Sequence, residues 1–141
     1  MREIDWPSSF AVASDVRASA YAPYWNFKVG AALLARSGKV FAGCNVENAS
    51  YGLTICAERA AIAMAVAAGQ NEFVALAVVA ESEPVAPCGA CRQVLAEFGD
   101  AILIRSRGGE GELDWLLSDL LPQPFGDLRK TGKFPRGTNC Q

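Results

Sequence analysis

Residues 73–105 read Phe73-Val74-Ala75-Leu76-Ala77-Val78-Val79-Ala80, then a loop punctuated by Pro84 and Pro87. Cys88-Gly89-Ala90-Cys91 follows and opens a stretch to Phe98, and Ala101-Ile102-Leu103-Ile104-Arg105 closes the segment. The first and last runs are short and continuously apolar, the pattern of strands buried on both faces. The middle stretch has helical length and stops at Gly99. A strand–helix–strand unit implies a parallel part to the sheet, because the crossover returns the chain in the same direction.

Upstream, Arg36-Ser37-Gly38-Lys39 reads as a turn between an apolar run from Lys28 to Ala35 and a second from Val40 to Asn45. That pair predicts a hairpin, hence an antiparallel part to the sheet. Residues 8–20 predict an amphipathic helix capped by serine and ended by Tyr21-Ala22-Pro23. Residues 46–54 predict a loop, and the Ala-rich residues 55–68 a helix closed by Gly69. Residues 112–121 predict a short strand followed by a helical turn from Leu116 to Leu121. An irregular tail starts at about residue 126. A mixed sheet with helices on its faces, in a single domain over residues 1–141, accommodates all of this.

The 141 residues are 51% hydrophobic and 20% charged, enough for one core with some apolar surface left for subunit contacts. Thirteen basic and fifteen acidic residues give a net charge of −2, which argues against a nucleic-acid partner. Met1-Arg2-Glu3-Ile4-Asp5 lacks the basic-then-apolar order of a signal peptide, and Ala60 to Ala68 is too short to span a bilayer. A cytoplasmic location with no membrane contact is expected. Five cysteines in that compartment favour metal binding or catalysis over disulfides, and the absence of histidine excludes any His-based triad.

Pro87-Cys88-Gly89-Ala90-Cys91 alone is compatible with half a metal site, a redox dithiol or two inert cysteines. Thr54-Ile55-Cys56-Ala57-Glu58-Arg59 adds a third cysteine at a helix start. Three protein ligands leave a coordination position open for water, and zinc lowers that water's pKa toward neutrality. A redox pair has no use for Cys56, so the balance moves to zinc. Glu58, two residues past Cys56, is placed to move protons without ligating; the bland alternative is an exposed helical carboxylate. Arg59 shares the face of Cys56. Zinc with three thiolates is net negative, so an arginine on a ligand sulfur would offset excess charge. A surface arginine is the competing reading.

Four stretches together closely resemble the small, homotetrameric cytidine deaminases. They are Tyr24-Trp25-Asn26-Phe27-Lys28-Val29-Gly30-Ala31-Ala32, Gly43-Cys44-Asn45-Val46-Glu47-Asn48-Ala49-Ser50-Tyr51-Gly52, Thr54 to Arg59, and Pro87 to Gln93. The likeness runs from about Ser14 to Phe125. It implies an α/β fold, three-layer α-β-α with a mixed five-stranded sheet. It also implies a homotetramer acting on free pyrimidine nucleosides in salvage. Zn2+ on Cys56, Cys88 and Cys91 would supply a hydroxide that attacks C4 of cytidine or deoxycytidine, with Glu58 shuttling protons. Asn45 and Glu47 match the pair that grips the ribose 3′-hydroxyl, and Phe27 an aromatic against the base. Ala57 and the carbonyl around Pro87 match groups on the base's polar edge. Tyr51 and Phe125 match residues supplied by neighbouring subunits.

Trp25 stands where that family usually shows a small polar residue, and residues 131–141 have no evident counterpart. Cys44 and Cys140 are not expected to be ligands. Deamination of a modified cytosine nucleoside such as blasticidin S is the rival activity, but Phe27, Asn45, Glu47 and Tyr51 match the cytidine type more closely. A non-catalytic zinc module would need a fourth protein ligand, and none lies at suitable spacing.

Overall fold

A computed structural model describes residues 3–126. The element order is α1 (Trp6–Arg17), β1 (Gly30–Ala35), β2 (Val40–Cys44), a 3₁₀ turn (Tyr51–Leu53), α2 (Ala57–Ala67), β3 (Phe73–Val79), α3 (Gly89–Ala96), β4 (Leu103–Gly108), β5 (Gly111–Leu116) and α4 (Leu117–Leu120). The five strands form one sheet in the order β2-β1-β3-β4-β5. β3 and β4 are parallel, as the crossover through α3 requires, and the other neighbouring pairs are antiparallel. The mixed five-stranded sheet expected above is present.

Period-two alternation divides β1 and β3 between the two faces of the sheet. Ala31, Leu33, Leu76 and Val78 pack with Ala61, Ile62, Ala65, Leu95 and Ala96 from α2 and α3. Ala32, Ala77 and Val79 turn the other way and meet Phe10 and Ala13 of α1. This makes the three layers. The α1 face of the sheet is built from small side chains, so the helix lies close: a Cβ on Gly30 would fall 1.8 Å from the Ala13 carbonyl oxygen. The α1 aromatics also cap two arginines of β4, with Arg105 4.5 Å from the Trp6 ring centroid and Arg107 3.9 Å from that of Phe10.

The first helix starts earlier than serine capping suggests. Asp5 is its N-cap and its Oδ1 accepts from the Ser8 amide at 3.0 Å, with Pro7 in the first turn. The helix ends at Arg17, ahead of the Tyr21-Ala22-Pro23 stop, because Tyr21 is taken by a short parallel bridge to Val46. The strand expected over residues 101–105 instead spans Leu103–Gly108, since β5 pairs with it through Gly108. Residues 127–141, including Cys140 and most of the expected irregular tail, lie outside the described residues.

Gly43 carries the join between β2 and α2. A Cβ there would come within 2.3 Å of the Ala61 nitrogen and 2.4 Å of the Ala57 carbonyl oxygen, both rigid backbone. The substitution Gly43→Ala is expected to cost about 1–3 kcal/mol, the usual range for overpacking a tight core. Denaturant midpoints of the two proteins measure it; equal midpoints would show that α2 yields freely.

Candidate metal and substrate site

α2 and α3 both begin at the same place in the molecule, and each has a cysteine as its N-cap: Cys56 for α2 and Cys88 for α3. Cys91 sits in the first turn of α3. The three Sγ atoms all lie within 4.8 Å of one another, and the Cys56–Cys88 separation is 3.6 Å. Tetrahedral zinc with Zn–S bonds of about 2.3 Å places its sulfurs roughly 3.8 Å apart, so the thiols are at near-ligating distance. Helix N-termini favour thiolates, because unpaired amides and the dipole stabilise negative charge there.

Protonation is uneven across the cluster. Hydrogen bonding with Cys91 pulls Cys56 down to about 5, helped by Arg59 and Cys88, although burial opposes this. Cys91 is pushed well above the ordinary thiol value by its hydrogen bond to Cys56, then by burial and by the charge of Glu58. Three thiols gathered at two helix starts, at near-ligating separation, are a soft donor set suited to a thiophilic cation. The residues fit zinc.

Glu58 lies in the first turn of α2, 4% exposed. Burial raises its pKa above the usual carboxylate value. Cys91 Sγ donates to Glu58 Oε2 at 3.7 Å, so the carboxylate adjoins the thiols. An Arg59 Nη lies 3.5 Å from Cys56 Sγ and 3.4 Å from the Thr54 carbonyl oxygen. Its Nε is buried and has no hydrogen-bond partner among the described residues. The hydrogen bond to Cys56 raises the guanidinium pKa further, so this arginine stays charged beside the sulfur.

A cavity of about 270 Å3 opens beside the cluster, lined by Cys56, Ala57, Glu58 and Cys88 on one part of its wall. Trp25, Phe27, Asn45 and Glu47 line another part. The latter two are set by a backbone clamp: Val46 pairs with Tyr21 on one side and Ile55 on the other. Val46 is exposed, whereas its neighbours Asn45 and Glu47 are buried, so the two side chains project alike. Asn45 Oδ1 accepts from the Val29 amide at 2.8 Å, and its Nδ2 donates to the Phe27 carbonyl at 2.7 Å. Glu47 Oε1 accepts from the amides of Tyr24 at 2.8 Å and Trp25 at 3.1 Å. Both residues therefore hold the 24–29 segment as well as facing the cavity, work that the sequence did not disclose.

Pro87 is fully buried, and its carbonyl accepts from Arg92 Nε at 2.8 Å. Val85 and Ala86, just before it, line the cavity. Their position after the carboxyl end of β3 is the available signal, since ligands of open α/β sheets bind there. Tyr51 and Phe125 do not line the cavity and stand 73% and 87% exposed. Gln93 fixes the Phe125 backbone at both ends, accepting from its amide at 2.9 Å and donating to its carbonyl at 3.1 Å.

Three thiols at paired helix starts, a buried carboxylate beside them and an adjoining cavity are the parts that a zinc-dependent hydrolase needs. The family model for the cytidine and deoxycytidylate deaminase zinc-binding region matches residues 7–105. The cytidine deaminase of Halalkalibacterium halodurans is 50% identical over 116 residues, covering 80% of this chain and 88% of the relative. That of Mycobacterium tuberculosis H37Rv is 43% identical over 127 residues, covering 89% and 93%. The crystal structure of cytidine deaminase from Burkholderia pseudomallei superposes with a TM-score of 0.82 at 50% identity, over 86% of this chain and 100% of that one. The chain belongs to the cytidine and deoxycytidylate deaminase family.

Purified protein is expected to carry about one zinc per chain, and Cys88→Ser to lose most of it, because two thiolates bind zinc far more weakly than three. Elemental analysis after dialysis checks this. Full zinc retention by the variant would remove Cys88 from the ligand set.

Proposed function

We propose that the chain deaminates cytidine and deoxycytidine to uridine and deoxyuridine, consuming water and releasing ammonia. The observation that carries the reading is Glu58: a buried carboxylate, its pKa raised by burial, touching the thiol cluster and facing the cavity. Zinc held by Cys56, Cys88 and Cys91 supplies a Lewis acid that makes water nucleophilic near neutral pH.

The chain's own groups do the rest. Glu58 takes a proton from the attacking water and delivers it to N3 of the base; it then takes the proton of the new C4 hydroxyl and passes it to the amine, which leaves as ammonia as the C4 carbonyl forms. A buried carboxylate suits both directions of transfer, since its raised pKa brings its two protonation states closer in free energy. Ala57, in the first turn of α2, offers a backbone amide that the helix leaves unpaired. Phe27 meets the base. Asn45 and Glu47 take a sugar hydroxyl with the capacity left over from holding the 24–29 segment: the second Nδ2 hydrogen and Oε2. Arg59 tempers the negative charge of the three thiolates.

Tyr51 and Phe125 support a homotetramer in which each pocket is completed by neighbours. Both are large and exposed, and neither is part of the cavity lining of its own chain. No helix among the described residues is long and apolar enough to cross a membrane. Free pyrimidine nucleosides as substrates make this an enzyme of nucleoside salvage, with the cytoplasm as its proposed location.

Glu58→Gln is expected to keep its zinc and lose about 10²–10⁴-fold in kcat, read from the absorbance change on converting cytidine to uridine. Activity equal to wild type would overturn the mechanism. Arg59→Ala is expected to retain zinc while turnover falls, and unchanged turnover across the neutral pH range would make Arg59 a bystander.

A further inference from the structure

The geometry points to Trp25 as a specificity-determining residue whose indole forms the wall against the sugar of the bound nucleoside. This rests on the cytidine reading above. In a pyrimidine, C4 and N1 lie across the ring from each other. With C4 at the thiol cluster, whatever N1 carries points away from Cys56 and Cys88. The remaining polar lining of the cavity is Asn45, Glu47 and Thr54, and Trp25 shares that lining. Its backbone amide donates to Glu47 Oε1 at 3.1 Å, and both residues line the cavity.

The ring is held rather than loose. It meets Tyr51 edge-on, with centroids 4.8 Å apart and planes at 61°, and it packs against Tyr24 at 5.9 Å. Asn26, with φ 51°, turns the chain directly after it. Trp25 is 49% exposed and is part of the cavity lining. A rigid apolar face beside a carboxylate is the usual chemistry for a sugar: C–H groups lie on the ring while hydroxyls reach the polar group. Glu47 and Glu58 are the charged side chains lining the cavity, so the wall does not serve an anionic substituent.

The test compares wild type, Trp25→Ser and Trp25→Phe on two ligands that differ only by the sugar, pyrimidin-2-one and its riboside. Trp25→Ser is expected to weaken the riboside about tenfold and the free base less than about twofold. Its KM for cytidine should rise in step while kcat stays nearly constant, and Trp25→Phe should restore most of the loss. Equal weakening of both ligands, or none, would overturn the assignment. Should Trp25→Ser not fold, tryptophan emission carries the test. Trp6 and Trp115 line a separate groove with Arg105, so riboside quenching of the wild type should vanish in Trp25→Phe. Quenching that persists overturns the assignment. A wild type that does not deaminate cytidine defeats the underlying reading instead, a result distinct from a Trp25 variant that behaves as wild type.

Discussion

Two helix N-termini pointed at one spot create the constraint on which the site depends. Each presents unpaired amides and the positive end of its dipole, so α2 and α3 would repel at their starts if nothing negative lay between them. Neither helix uses an ordinary cap: the N-cap positions hold Cys56 and Cys88, and neither side chain bonds a backbone amide. Forgoing a serine or aspartate cap costs about 1 kcal/mol per helix. The thiols repay this in another way, by filling the gap with charge that a cation can then bridge. Helix capping and metal binding have become one task.

The rest of the fold delivers those starts to the same place. Gly43 lets β2 lie against the first turns of α2, and the parallel β3–α3–β4 unit brings α3 to the same side. The Val46 clamp then ties the exit of β2 to Ile55, one residue before Cys56. Asn45 and Glu47 are thus in register with the metal ligands through backbone hydrogen bonds alone. On the far edge, the antiparallel pair β4–β5 carries matched charges: Arg105 opposes Asp114 and Arg107 opposes Glu112, at 2.6 and 2.7 Å. These exposed pairs add little stability, but they put charged side chains on the edge strand β5.

The thiol cluster was legible in the sequence because chemistry constrained it from several sides. There is no histidine, three cysteines open helices, and a carboxylate stands two residues from one of them. The strands were legible because β1 and β3 are apolar on both faces. Helix ends were less so: the Asp5 cap competes with Ser8 and Ser9 as candidates, and only the folded chain shows which side chain finds an amide. The hydrogen bonds of Asn45 and Glu47 to residues 24–29 could not be read at all, because they join segments far apart in the chain.

The turn from Tyr24 to Phe27 has its backbone specified from outside. Glu47 holds its first amides, Asn45 holds its exit, and Asn26 tolerates the left-handed conformation without glycine. None of that scaffolding uses the side chains at 25 or 27, which both line the cavity. Those positions are therefore interchangeable panels on a fixed frame. A lineage, or a mutant library, can retune the cavity wall there one residue at a time while the loop that presents it keeps its shape.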